Sequence, residues 1–176
     1  MDFNKIAELG KHRMYPWEIE ILYNAVMERK PKVIVEVGSW DGCSTMAMAI
    51  ACKSYGGNIY SIDPRVDTIL SDNLKFFGIE QGIVTPIKAF SPWVEGVPQH
   101  IDFLFIDGNH STKSVLMDYY YWVHFMKRGD VVAFHDITFA SVQKAFGIIM
   151  ESDGKHLKEL VKCELRRRGV GVWRLC

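Results

Sequence analysis

The chain has 176 residues, 48% of them hydrophobic, enough to bury the core of one domain without disulfides or a structural metal. Lysine plus arginine and aspartate plus glutamate balance at 21 each, which removes the electrostatic case for a nucleic-acid or polyanion partner. The four cysteines (Cys43, Cys52, Cys163, Cys176) show neither CxxC nor zinc-ligand spacing and read as the reduced thiols of a cytosolic protein. No stretch reaches transmembrane length, and MDFNKIAELGKHR lacks the apolar core of a signal peptide. A cytoplasmic protein without a membrane partner is therefore expected.

Residues 1–30 form a helical N-terminal segment in this reading, with a helix over YPWEIEILYNAVMER that Pro16 opens and Pro31 ends. Residues 31–176 then make one core, and no linker or repeat divides the chain. Val33 to Val37 is a short β-branched run broken only by Glu36, the mark of a buried parallel strand. A glycine turn follows, and a helix begins near Ser44. NIYSID is a second strand ending on Asp63, residues 66 to 78 are helical, and IVTPIKA is a weak third strand. IDFLFID is a strong fourth strand ending on Asp107; a helix from Ser111 to Lys127 leads to VVAFHD, the fifth. Residues 139 to 152 are helical although Gly147 lies inside them, and LVKCELRR with GVGVWRL forms a terminal antiparallel hairpin. The run Arg166, Arg167, Arg168 reads as a solvated strand end. Strands alternating with helices and closed by a hairpin predict an α/β fold with a mostly parallel sheet.

The turn after the first strand is the first candidate for chemistry. A dinucleotide turn needs G-x-G-x-x-G, and here Trp40 and Cys43 stand where its second and third glycines belong. Asp41 adds a negative charge where a pyrophosphate would sit. The pattern present is Glu36, Gly38 and Gly42, suited to an amino-acid or nucleoside ligand. Glu36 inside an apolar strand is costly as packing alone and is assigned a functional part. Cys43 reads as a small helix-start residue, and Asp63 before Pro64 is also compatible with a turn opener.

VEVGSWDGCST and IDFLFIDGNHS, in that order and with an acid ending the second strand, resemble the first and fourth motifs of class I S-adenosylmethionine-dependent methyltransferases. The resemblance runs from about Val33 to the end of the chain. It implies a Rossmann-like seven-stranded sheet, mostly parallel, with a C-terminal antiparallel hairpin and helices on both faces. It also implies that the loop Gly38, Ser39, Trp40, Gly42 wraps the methionine part of S-adenosylmethionine, with backbone N–H groups near Ser44 facing its carboxylate. Asp63 then accepts from the ribose hydroxyls, Ala89 and Phe90 flank the adenine, and Asp107 borders the methyl group.

Adjacent parallel strands would bring Asp107, Gly108, Asn109 and His110 beside His135 and Asp136. This is similar to the metal-dependent O-methyltransferases of the catechol, caffeoyl-coenzyme A and macrocin types, which implies a divalent cation on Asp107, His135 and Asp136. Those families mostly carry Asp-Asn or Asp-Asp where this chain has His135-Asp136. Histidine turns the choice from magnesium toward manganese, iron, zinc or no metal. His110 or His135 could then serve as general base, since imidazole titrates near neutrality. The expected activity is O-methylation of a small hydroxylated acceptor such as a sugar or phenol, with transfer to nitrogen as the nearest variant. The rivals are a nicotinamide-dependent oxidoreductase and a non-catalytic nucleoside-binding protein. The aromatic stretch Tyr119 to Trp122 is a candidate homodimer interface as well as core.

Overall fold

The structure, a computed structural model, describes every residue except 10, 12, 67, 166 and 167. Two helices, α1 (Phe3–Leu9) and α2 (Pro16–Arg29), precede the first strand, β1 (Val33–Val37). There follow α3 (Cys43–Lys53), β2 (Asn58–Ile62), α4 (Thr68–Phe76), β3 (Val84–Ile87), β4 (Phe103–Ile106) and α5 (Thr112–Trp122). The chain ends with β5 (Val131–His135), α6 (Ala140–Asp153), β6 (Leu157–Leu165) and β7 (Arg168–Leu175). The seven strands lie in the order β3-β2-β1-β4-β5-β7-β6; the first five are mutually parallel, and β7 runs antiparallel to both β5 and β6. This is the architecture the sequence predicts.

Side-chain alternation along the strands divides the core into two layers. Ile34, Phe103, Phe105, Val131, Ala133 and Val172 face one way, onto α2 and α3. Val35, Leu104, Ile106, Val132, Phe134 and Trp173 face the other, onto α5 and α6. Each fully buried aliphatic or aromatic side chain contributes roughly 1.5–3 kcal/mol. Central strands sandwiched this way read as unbroken apolar runs.

Several expected boundaries shift for physical reasons. The weak third strand keeps only Val84–Ile87, and Pro86, which cannot donate to a ladder, is tolerated because β3 is a sheet edge. The long helix after the fourth strand stops at Trp122 and passes through one 3-10 turn, Val123–Phe125. Gly147 does not interrupt α6. Tyr119 and Trp122 are buried core residues, which gives those two side chains a packing part rather than an exposed interface. Residues 166 and 167 of the arginine run lie outside the described residues. Arg168 opens β7, donates to the Arg13 carbonyl and lies over the Tyr15 ring. Among the described residues, no helix is long and apolar enough to cross a membrane.

Candidate active site

The C-terminal ends of β1, β2 and β4 converge on a cavity of about 610 Å³, within the range of small-molecule sites. Its floor is the turn after β1. Gly38 has φ +89°, and a Cβ built there would lie 2.2 Å from the Asp107 carbonyl oxygen, so only glycine lets β1 and β4 close together at this level. The turn folds around one carboxylate: Asp63 Oδ2 accepts from the N–H groups of Ser39 (3.1 Å) and Trp40 (3.0 Å), while Oδ1 accepts from Arg65 N–H (2.7 Å). Gly42, with φ +89°, closes the turn through its N–H to the Ser39 carbonyl.

Trp40 holds a left-handed φ of 46°, unusual for a bulky residue and a form of backbone strain that collects at functional sites. Its ring is half exposed, and the guanidinium carbons of Arg13 and Arg65 each lie 4.8 Å from its centroid. Both arginines also line the cavity. Cys43 Sγ donates to the Ile6 carbonyl, and burial pushes the thiol up to about 12, so it is no nucleophile at neutral pH.

Of the residues the sequence assigns to the cofactor, Gly38, Ser39, Trp40, Ser44, Asp63, Phe90 and Asp107 line the cavity. Ala89 does not; it is half buried against the second core layer, and its neighbour Phe90 is the residue that stands out into the cavity mouth. Glu36 is likewise displaced from any ligand. Strand alternation puts it on the α3 side, opposite Ser61 of β2, where its carboxylate accepts from Ser44 Oγ (2.5 Å), Thr45 Oγ1 (2.6 Å) and Ser61 Oγ (2.7 Å). With no exposed surface, it pins the first turn of α3 to the sheet and positions the loop rather than touching what fills it.

Burial raises the Glu36 carboxyl from 4.5 to about 7, against the three hydroxyl donors that lower it. A carboxyl raised on folding binds its proton more tightly in the native state, so its stabilising effect is full below 4.5 and fades as pH rises to about 7. Over that window the group should cost on the order of 3 kcal/mol of stability. Urea denaturation at pH 5 and pH 8 should show this fall in the wild type and a smaller one in Glu36→Gln. Asp118 and Asp136, raised in the same direction, keep part of the slope. An equal slope in both proteins would clear Glu36 of the effect.

Beside the cavity, the ends of β4 and β5 bring four titratable groups together. His135 is almost fully buried; its Nδ1 lies 3.0 Å from Asp107 Oδ1, and its Nε2 makes a 3.1 Å ion contact with Glu18 Oε1. Burial lowers the affinity of this imidazole for its proton, but the Asp107 and Glu18 carboxylates outweigh it and hold the group well above 6.5. His135 is thus buried with Nδ1 bonded to Asp107 and Nε2 close to Glu18 Oε1 but outside hydrogen-bond geometry, so that both nitrogens face carboxylates, which argues against it as base or metal ligand and differs from the sequence reading. Asp107, although burial alone would raise it, is lowered by His135 and His110 and stays ionised.

His110 occupies the place expected for His135. Its Nε2 lies 3.4 Å from Asp107 Oδ1 and 3.3 Å from Asp136 Oδ2, it is partly exposed, and it packs against Phe139. The hydrogen bond to Asp107 raises its pKa, against the lowering effect of burial. Asp136 holds a left-handed φ of 51°, and its buried Oδ1 has no hydrogen-bond partner. One ligand atom each from Asp107, His110 and Asp136 falls within 4.8 Å of the others.

Sequence reasoning missed Glu18 and Asp118. Glu18 is wholly buried, with Oε2 accepting from Tyr15 N–H (2.7 Å) at the start of α2 and Oε1 facing His135. Its signal was an acid three residues into a helix, which the capping reading of such positions hides. Asp118 shares the buried stripe Val115, Asp118, Tyr119, Trp122, so helical periodicity marked it as an acid in an apolar position.

Residues 35–137 match the methyltransferase domain family. A protein of Acanthamoeba polyphaga mimivirus described as uncharacterized is 29% identical over 136 residues, which covers 70% of this chain and 61% of that protein. The match therefore spans under two thirds of the viral protein's length. Among solved structures, the fold is similar to the O-methyltransferase TomG of Streptomyces achromogenes, involved in tomaymycin synthesis and in complex with SAM. That likeness has a TM-score of 0.75 at 14% identity and covers 98% of this chain and 88% of that one. It is also similar to an O-methyltransferase from Bacillus cereus in complex with SAH, with a TM-score of 0.74, 13% identity, and 98% and 90% coverage. At these identities the likeness is one of fold.

Proposed function

The chain belongs to the methyltransferase domain family, and on that premise we propose that it moves the methyl group of S-adenosylmethionine to a hydroxyl of a small acceptor. The observation that carries this reading is the cavity built on the Gly38–Gly42 turn, with the ionised Asp107 on its wall. The residues fit the donor. Gly38, Ser39 and Trp40 of the turn line the cavity, and about 610 Å³ accommodates a nucleoside joined to an amino acid. When bound, S-adenosylmethionine supplies an electrophilic methyl on a sulfonium.

The protein's own part is positioning and proton handling. The Asp63 carboxylate, by fixing the Ser39 and Trp40 amides, presents a rigid turn to the ligand and, with Arg65 N–H also on Oδ1, keeps one acceptor site for a hydroxyl donor. Asp107 accepts a hydrogen bond from the acceptor hydroxyl, and neutral His110 takes the proton as the oxygen gains the methyl. His135, whose hold on its proton the flanking carboxylates strengthen, keeps Asp107 in place through Nδ1.

The donor set also fits a divalent cation. Asp107, His110 and Asp136 would hold it, the unpartnered Asp136 Oδ1 being the atom most in need of a ligand. Such an ion would supply Lewis acidity toward the acceptor oxygen. A nitrogen in the set favours manganese, iron or zinc over magnesium.

S-adenosylhomocysteine should bind in a calorimetric titration while NAD does not, because Trp40 and Asp41 crowd and repel a pyrophosphate. Tighter binding of NAD would transfer the chain to the oxidoreductase reading. Failure of S-adenosylmethionine to yield S-adenosylhomocysteine with any of a panel of sugars, phenols and amines would favour the non-catalytic alternative.

A further inference from the structure

Two cations beside the cavity have no part in the mechanism above. Arg13, from the connection between α1 and α2, and Arg65, from the turn after β2, both line the cavity, and each guanidinium carbon lies 4.8 Å from the centre of the Trp40 ring. A guanidinium over a ring gives the ring its face and keeps its N–H edge for an acceptor. Among the described residues, neither guanidinium meets a carboxylate or a hydrogen-bond acceptor. The acids that line the cavity are engaged elsewhere: Asp41 pairs with Lys11 (3.8 Å), Asp63 with backbone N–H groups, Asp107 with histidines and Asp118 with the Ser91 hydroxyl. Two cationic edges therefore border the cavity unmatched, in a chain whose charges balance overall.

A forked N–H edge suits a carboxylate or a phosphate, either of which accepts two parallel bonds from it. The donor's own carboxylate has other partners in this site, the first N–H groups of α3 beside Ser44, which no helical bond uses. An anion at the arginines thus falls to the acceptor. The backbone around Arg13 also runs beside the strand ends where the proton is handled. Arg168 donates to the Arg13 carbonyl, and the next residue of β7, Gly169, accepts from the N–H of Ile137, the neighbour of Asp136 (3.3 Å). Arg13 is therefore on the side of the cavity where β5 ends.

We propose that the acceptor is an anionic hydroxyl compound, one that carries a carboxylate or a phosphate, and that Arg13 and Arg65 bind this anion while the hydroxyl meets Asp107. The assignment rests on the methyl-transfer reading above. It makes the arginine pair the element that selects among acceptors, since a neutral molecule of the same shape leaves both guanidiniums without a partner. Both side chains are exposed, so solvent screens them and the selection is moderate in size.

The test is calorimetric binding of two matched pairs of probes to the complex with S-adenosylhomocysteine: 3,4-dihydroxybenzoate against 3,4-dihydroxybenzamide, and glucose 6-phosphate against glucose. In the wild type the anionic member of at least one pair should bind about tenfold tighter or more, and the pair that shows it tells carboxylate from phosphate. In Arg13→Gln and in Arg65→Gln that preference should fall below about threefold. No binding of either anionic probe, or equal binding within both pairs, overturns the proposal. A preference that survives both substitutions places the anion elsewhere and overturns it as well. The variants are also titrated with S-adenosylhomocysteine and with 5′-methylthioadenosine, which lacks the amino-acid carboxylate. A loss confined to S-adenosylhomocysteine would assign the arginines to the donor and overturn their part toward the acceptor. Failure of the wild type to bind S-adenosylhomocysteine would instead remove the methyl-transfer reading, and this assignment with it.

Discussion

Gly38→Ala is expected to abolish S-adenosylhomocysteine binding and to lower thermal stability by more than any other single alanine in the turn. Its Cβ would meet the backbone oxygen of Asp107 at 2.2 Å, the carbonyl carbon at 2.7 Å and Gly108 Cα at 2.8 Å. Backbone cannot rotate away as a side chain can, so β1 and β4 must separate where both carry site residues. The left-handed φ adds about 1–2 kcal/mol for a residue with a Cβ. Gly42→Ala meets a side-chain atom instead, Leu70 Cδ1 at 2.4 Å, which can move. Gly56, at φ +85° with nothing within 4 Å, supplies the control: its alanine variant should pay only the conformational cost. Thermal melts with calorimetry on the three variants would separate these cases. Wild-type affinity in Gly38→Ala would mean that the turn does not contact the donor.

The second large effect concerns proton handling at the ends of β4 and β5. Asp107→Ala should remove turnover by about 100-fold or more, the usual worth of a positioned acid–base group, while S-adenosylhomocysteine affinity changes less. His110→Ala should lose turnover comparably and leave the fold intact, because His110 is partly exposed. His135→Ala should behave differently. It leaves the Glu18 and Asp107 carboxylates without the cation between them, and breaking a buried pair in this way costs about 3–5 kcal/mol. Its signature is therefore a lowered melting temperature, with turnover lost through misplacement of Asp107. Turnover of each variant, with and without chelator, distinguishes a metal from a free base. Activity that survives chelator and rises with pH through a limb above 6.5, absent in His110→Ala, identifies the base, since His110 is raised above that value by Asp107. Activity lost to chelator and restored by manganese, iron or zinc identifies Asp107, His110 and Asp136 as ligands. Full turnover in all three variants would move the chemistry away from these strand ends.

The order of strands and helices was readable because each depends on local pattern. β-branched runs of four or five residues alternate with longer helical stretches, and a few residues separate the last two strands. The glycine turn was readable for the same reason: Gly38 and Gly42 stand where the chain reverses between strand and helix. Even the meeting of Asp107 with the His135–Asp136 pair follows from pattern, since residues that end two neighbouring parallel strands must lie side by side.

What each polar group does in that frame depended on partners distant in sequence. Glu36 reads as a ligand contact from its own neighbourhood. It becomes an internal anchor because Ser61, 25 residues away, pairs opposite it and α3 folds its first-turn hydroxyls down onto it. His135 and His110 are equivalent candidates on paper. Tertiary packing separated them: α2 brings Glu18 against His135 and buries it as a fixed cation, while His110 stays at the open edge between two carboxylates. Asp118 gained its place only when α5 laid it against the loop after β3, where Ser91 could hold it facing the cavity. The sequence by itself determined the fold and the acids at the strand ends, because hydrophobic periodicity and turn chemistry act over a few residues. Only the tertiary structure decided which of those groups are paired, buried or free, because charge and hydrogen bonding are settled by whatever packs across the gap.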